Sequence, residues 1–334
     1  MNKNKYFYSL DLFRGFCGYG VAICHLYAFV FSNQFMEYLS IIFVEFFFVL
    51  SGFVLYPQLL KVLNKKNNLL KFYKRRWIRT LPLFFLLLIL VTILTDHLTN
   101  INFLKYFLLI HKVIPDFIEN DYYPVAWSLS IEEFFYLLFP LILVLLNDKN
   151  FIKFSLLIFF IIILIKYFSV ANFDPNYYRT GTLLRFDAIL FGFLISHFRF
   201  EILRYKKMII IFTVLLLFLF LFNYNFFIIN KIEPNNRFIF ILFMQLISGL
   251  TLLSFILMEP LIKNIFIKKF SLLISKQTYS IYLFHIIIIY LLANSNFSAH
   301  SITIVYIILL FTISTLIYYF FEEPLLKLRP KITN

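Results

Sequence analysis

The chain has 334 residues, of which 62% are hydrophobic and only 14% charged, and its mean hydropathy is +0.86. A soluble domain does not carry so large an apolar fraction, so the composition excludes that class and points to a polytopic membrane protein. The formal charge of +14 gives no reason to expect nucleic acid, because excess Lys and Arg in a membrane protein mark cytoplasmic loops.

Apolar runs long enough to span a bilayer lie at about 8–32, 38–60, 80–96, 128–146, 151–169, 181–198, 208–229, 238–257, 273–293 and 302–321. The expectation is an all-α bundle of about ten transmembrane helices in one domain, 1–334, without an appended soluble domain. The shorter run 101–111 reads as an interfacial or re-entrant piece. The N-terminus has the outline of a signal peptide, but Arg14 interrupts the apolar run and no small-residue cleavage site is clear, so the first helix is expected to be retained. Lys and Arg crowd the stretches 61–79, 199–207, 263–269 and 327–331, and they alternate with loops that are poor in them or balanced by acids. That alternation places both termini in the cytoplasm, with Asn67 and Asn334 on the cytoplasmic side and Asn120 and Asn296 on the other.

The first helix carries Asp11, Arg14 and His25 within its apolar run. A charge in a membrane helix is costly and usually faces a protein interior or a wet cavity. Eleven residues at 100° each return Arg14 and His25 to one face, about 16 Å apart along the axis. The alternative for this pair is a snorkelling Arg and a hydrogen-bonded core His. Cys17 and Cys24 would sit about 10 Å apart, too far for a disulfide, and with no ligand spacing for zinc nearby no metal is expected.

In the second run, Glu45 and Gly52 within VEFFFVLSGF share a face; a packed polar contact and a protonated structural Glu both fit. In FYKRRWIRTLP, Arg76 and Arg79 at i and i+3 point the same way if the segment is helical. With Arg75 they suit phosphate, since guanidinium groups offer planar forked donors; the alternative is a positive-inside anchor. In WSLSIEEFFYLLFP, Ser128, Glu132 and Tyr136 repeat every four residues on one face, and the helix start favours anions. Arg185 and Asp187 enter the 181–198 run as a candidate ion pair. Thr278, Tyr282 and His285 share a face of the ninth run, with His285 near the depth of His25.

In this order the blocks resemble the acyltransferase-3 family of integral membrane acyl-CoA-dependent O-acyltransferases. The resemblance covers nearly the whole chain, from Leu10 to about Arg329. It rests on Arg14 with ten residues between it and His25, on VEFFFVLSGF, on Arg76 with Arg79, on WSLSIEEFFYLLFP and on YSIYLFH. It implies about ten membrane helices and transfer of an acyl group, most often acetyl, from cytoplasmic acyl-CoA to sugar hydroxyls of surface polysaccharides. It also implies essential roles for Arg14 and His25, and maps the family's Arg pair onto Arg76 and Arg79. Departures are Leu12 and Ser275, where the family usually has Gly, and Glu45, where it commonly has Asp.

Resemblance and residues together give one expectation for a bacterial cytoplasmic-membrane enzyme. Arg75, Arg76 and Arg79 hold the phosphates of acyl-CoA, and the pantetheine arm carries the thioester toward His25. A hydroxyl of a surface polysaccharide or its lipid-linked precursor arrives near Glu132, Arg185 and Asp187. His25 takes its proton, and Arg14 orients the donor or stabilises developing charge. A covalent acyl-His intermediate is the variant of this scheme. The competing class is a transporter or flippase that uses the buried charges as a substrate or proton path, with no dependence on acyl-CoA.

Overall fold

A computed structural model of the chain describes residues 6–65, 68–97, 101–115, 117, 121–146, 148–225, 234–293, 295 and 298–331. Asn67, Asn120, Asn296 and Asn334, on which the topology expectation was placed, lie outside the described residues. The described chain is helical, without a strand: α1 Tyr8–Val30, α2 Gln34–Asn64, α3 Asn68–Leu94, α4 Ile101–Phe107, α5 Ala126–Leu145, α6 Asp148–Ser169, α7 Pro175–Thr180, α8 Phe186–His197, α9 Arg199–Ile202, α10 Lys206–Phe222, α11 Pro234–Met258, α12 Ile265–Ala293, α13 Ala299–Ile317 and α14 Glu323–Lys327. Among the described residues eight helices are long and apolar enough to cross a membrane, and α8 is a shorter apolar helix. The protein is an all-α polytopic membrane protein.

Two stretches differ from the hydropathy expectation. The helix expected at 80–96 begins at Asn68, so Arg75, Arg76 and Arg79 lie on α3 itself. Lys, Arg and Leu are good helix formers, and Pro82 costs one backbone bond that a membrane helix tolerates. The run expected at 181–198 holds a shorter helix, preceded by a separate one that ends before it. Asp174 caps α7 by accepting from the amides of Asn176 and Tyr177, Pro175 occupies the first turn, and α7 ends at Gly181. The short apolar helix α8 then starts at Phe186 and has 12 residues.

The chain divides into two compact units. The first comprises Met1–Leu50, Phe198–Ile229 and Leu242–Tyr318; the second comprises Ser51–His197, Asn230–Ile241 and Tyr319–Asn334.

In the first unit α12 packs between α1 and α13. A Cβ on Gly15 would run into Ile274, and one on Gly18 would meet Thr278 at 3.0 Å. Small residues allow this approach, as is usual between membrane helices. Ala22, Leu26, Ile281, Ile288, Tyr306 and Leu310 form the core there. Tyr306 donates to the Ala22 carbonyl at 2.9 Å.

In the second unit Gly52 of α2 lies against α8, where a Cβ would collide with the Ile189 carbonyl. Gly52 thus serves backbone approach. Tyr56 Oη and His197 Nδ1 are 2.6 Å apart. The segment between α4 and α5 is pinned by Lys112–Asp121 at 2.9 Å and by Tyr177 donating to the Val113 carbonyl at 2.8 Å. His111 is buried there against the Tyr106 ring, centroids 4.4 Å apart.

Burial lowers the His111 pKa to about 3, with the Asp121 carboxylate pulling the other way. The unfolded chain protonates this ring near pH 6.5, so between pH 6.5 and 3 it binds more protons than the folded protein. The stability from keeping the ring neutral is therefore complete above about pH 6.5 and declines as pH falls. The expected loss at pH 5 is about 2 kcal/mol. Thermal unfolding of the purified protein at pH 7 and pH 5 measures it, and His111→Gln should remove that part of the pH dependence.

Candidate active site

Histidine chemistry sits in the first unit, on α1 and α12. His25 Nδ1 and His285 Nε2 are 2.9 Å apart, with the rings stacked at 23° and centroids at 5.2 Å. His285 is fully buried, and its Nδ1 lies 2.7 Å from the Tyr282 carbonyl and 3.1 Å from that of Ile281. A carbonyl only accepts, so His285 Nδ1 carries the hydrogen. With His285 neutral, its Nε2 is an acceptor, and His25 must donate to it from Nδ1–H. On that assignment the His25 proton lies on Nδ1 and Nε2 is the ring's acceptor nitrogen. This is the tautomer a general base needs.

The helices that carry the pair are registered by polar bonds nearer their N-terminal ends. Ser275 donates to Asp11 Oδ1 at 2.7 Å, and Tyr6 donates to Asp11 Oδ2 at 2.5 Å. Tyr19 donates to Gln277 Oε1 at 2.6 Å, while Gln277 Nε2 donates to Thr315 Oγ1 at 2.6 Å. Ser275 thus ties α12 to α1. Arg14 is half-buried on the same helix as His25, and Glu45 is buried in this unit. Tyr282 contributes its backbone carbonyl to the pair and keeps its ring half-exposed.

A second constellation lies in the second unit, on α2, α3 and α5. Arg76 donates from Nη2 to Gln58 Oε1 at 3.0 Å, and its guanidinium sits 4.6 Å over the Tyr136 ring. Tyr136 donates to Glu132 Oε2 at 3.0 Å and meets Ser51 Oγ at 2.8 Å. Thr80 donates to Glu133 Oε1 at 2.6 Å. Glu132 is half-buried and Glu133 buried. Arg75 donates to the Pro330 carbonyl at 2.9 Å, so the C-terminal segment folds back on α3. Arg79 is half-buried and has no hydrogen-bond or ion-pair partner among the described residues. Ser128 is half-buried at the start of α5.

The expected pair of Arg185 and Asp187 is part of a larger cluster. Arg185 Nε lies 4.0 Å from Asp187 Oδ1, while Lys166 Nζ bonds directly to Asp187 Oδ2. Arg185, Lys166 and Asp187 are all buried. Lys166 was not singled out from sequence, because a lone cation in the last turn of the 151–169 run reads as snorkelling. Glu133 stands beside Glu132 in WSLSIEEFFYLLFP, while Gln58 and Gln277 are uncharged and give no sequence signal. Among the described residues no group of three or more His, Cys, Asp or Glu is placed to hold a metal ion.

The profile of the acyltransferase domain family acyltransferase-3 matches residues 7–322. O-acetyltransferase OatA of Staphylococcus aureus strain NCTC 8325 / PS 47 is 28% identical over 364 aligned residues, which cover 98% of this chain and 58% of that protein. OatA of strain COL gives the same figures. The chain thus spans less than two thirds of the length of these relatives. No solved structure matches.

Proposed function

The chain belongs to the acyltransferase-3 family, and from that premise we propose that it is a membrane O-acetyltransferase that moves acetyl from acetyl-CoA to a carbohydrate hydroxyl. The observation that carries the reading is the His25–His285 pair, which leaves His25 Nε2 as a proton acceptor. His25 Nε2 takes the acceptor hydroxyl's proton as its oxygen attacks the thioester carbonyl. The C–S bond breaks, an ester forms, and CoA leaves as the thiol with that proton. Arg14 orients the thioester or stabilises the charge developing on its oxygen. His285 is a positioning residue, and its Nε2 holds the imidazolium that forms on His25.

Arg75, Arg76 and Arg79 bind the phosphates of the donor in the cytoplasm, where both termini also lie. Glu132, Arg185 and Asp187 are our candidates for contacts to the acceptor, a surface polysaccharide or its lipid-linked precursor at a bacterial cytoplasmic membrane. The OatA relatives are named O-acetyltransferases, which favours acetyl as the group moved. The direct test is ester-linked acetyl on cell-surface glycans, compared with and without the gene and again with His25→Gln. Unchanged ester content would overturn the proposal.

Donor binding is testable separately. Loss of one charge-assisted bond costs about 1.5–3 kcal/mol, roughly tenfold or more in affinity for each Arg. Arg79→Ala should weaken acetyl-CoA binding with little change in melting temperature, because Arg79 has no partner to lose among the described residues. Arg76→Ala should lower both, because Gln58 and the Tyr136 ring lose their partner. Calorimetric titration of the purified protein decides; full affinity in the double variant would reduce the pair to topology anchors.

A further inference from the structure

The first unit holds a cavity of about 530 Å³ away from the histidine pair, at the start of α1, between the 198–206 turn and the end of α11. Arg204 and Lys206 line it and are exposed. Phe7, Leu203 and Ile256 supply apolar wall. Its acid, Glu259, is buried, and that carboxylate accepts from the Ser9 amide at 2.8 Å. Two cations against one carboxylate leave the lining one net positive charge, and the cations are the exposed members.

The position fits a membrane–water boundary. The turn leads directly into α10, whose apolar window is only 17% buried. Arg199, Arg204, Lys206 and Lys207 cluster there against the single acid Glu201. A group of four or more Lys and Arg beside a membrane helix favours anionic headgroups. Phe200 and Tyr205, aromatic residues at the same level, are exposed. A stripe then leaves the cavity along α10: Ile210 lines it, and Val214 and Phe218 follow at helical spacing, 51%, 63% and 60% exposed.

We propose that this cavity binds an anionic phospholipid, with the phosphate between Arg204 and Lys206 and an acyl chain along Ile210, Val214 and Phe218. A volume of about 530 Å³ accommodates a headgroup and glycerol, while the stripe takes what the cavity does not enclose. Because Glu259 anchors the Ser9 amide, occupancy steadies the start of α1. The site is independent of the acetyltransferase reading.

The test is thermal unfolding of the full chain in a neutral detergent, where failure of the proposed sidedness cannot mask binding. Phosphatidylglycerol at 100 times its Kd should raise the melting temperature by roughly 4 °C, and phosphatidylcholine should not. Arg204→Gln with Lys206→Gln should abolish the difference. Arg199→Gln with Lys207→Gln, the same change of charge on the same segment outside the cavity lining, should keep it. Native mass spectrometry should show retained phosphatidylglycerol lost in the first variant alone. An equal shift with phosphatidylcholine, an equal shift with inorganic phosphate, displacement by CoA, or equal behaviour of the two double variants would each overturn the proposal.

Discussion

His25→Gln is expected to lower acetyl transfer by about 10²–10⁴-fold while the protein still inserts and binds donor. The amide nitrogen of Gln can still donate to His285 Nε2, so the hydrogen bond that joins α1 to α12 has a substitute. What Gln lacks is a second nitrogen able to take a full proton at working pH. A merely structural His25 would be rescued by Gln and would show its loss in melting temperature instead. His285→Leu should also lose activity, because no acceptor then holds the His25 proton on Nδ1. In that variant ¹⁵N NMR of labelled histidine should report a mixed His25 tautomer, a change that a packing defect does not produce. Tyr306→Phe is the structural control: it gives up one bond to the Ala22 carbonyl, worth about 1 kcal/mol, and should keep its turnover. His25→Gln with most of its activity intact would sink the general-base mechanism.

The individual components of this site were legible in sequence far better than their pairing. Arg14 and His25 announce themselves because a charge and an imidazole inside an apolar run need a reason, and the helical repeat puts them on one face. His285 could be placed at similar depth from its own helix. Its bond to His25 could not be read, since the two residues are 260 positions apart and hydropathy says nothing about which helices are neighbours. The Gly15 and Gly18 approach to α12 is the physical cause of that pairing, yet a glycine in a membrane helix does not name its partner. Hydropathy also placed the start of α3 too late, because a charged helical turn is apolar by neither composition nor moment. Arg76 and Arg79 do fall on one helix, α3. Arg76 held by Gln58 and Tyr136 depended on tertiary contacts. Lys166 was invisible for a different reason: one Lys in an apolar run reads as snorkelling until a buried carboxylate is found opposite it.

Asp187→Asn is expected to be the most destabilising single change in the second unit, costing about 3–5 kcal/mol. The carboxylate answers two buried cations, Lys166 at direct hydrogen-bond distance and Arg185 at 4.0 Å. Removing it takes from both buried cations the carboxylate they share. Lys166→Met should cost less, because Asp187 keeps Arg185 and the new side chain is apolar and of similar length. Lys166→Met combined with Asp187→Asn should then recover part of the loss of Asp187→Asn alone, since one of the two stranded cations is gone. Melting temperatures of the three variants in detergent give this order. Acetyl transfer measured on the same preparations separates two roles for the cluster. If Arg185 and Asp187 contact the acceptor, Lys166→Met retains activity in proportion to folded protein, while the double variant stays inactive even where its stability recovers. If the cluster only supports the fold, activity tracks stability across all three. A melting temperature for Asp187→Asn equal to that of the unmodified protein would show that the charges are solvated, and would remove the cluster from both roles.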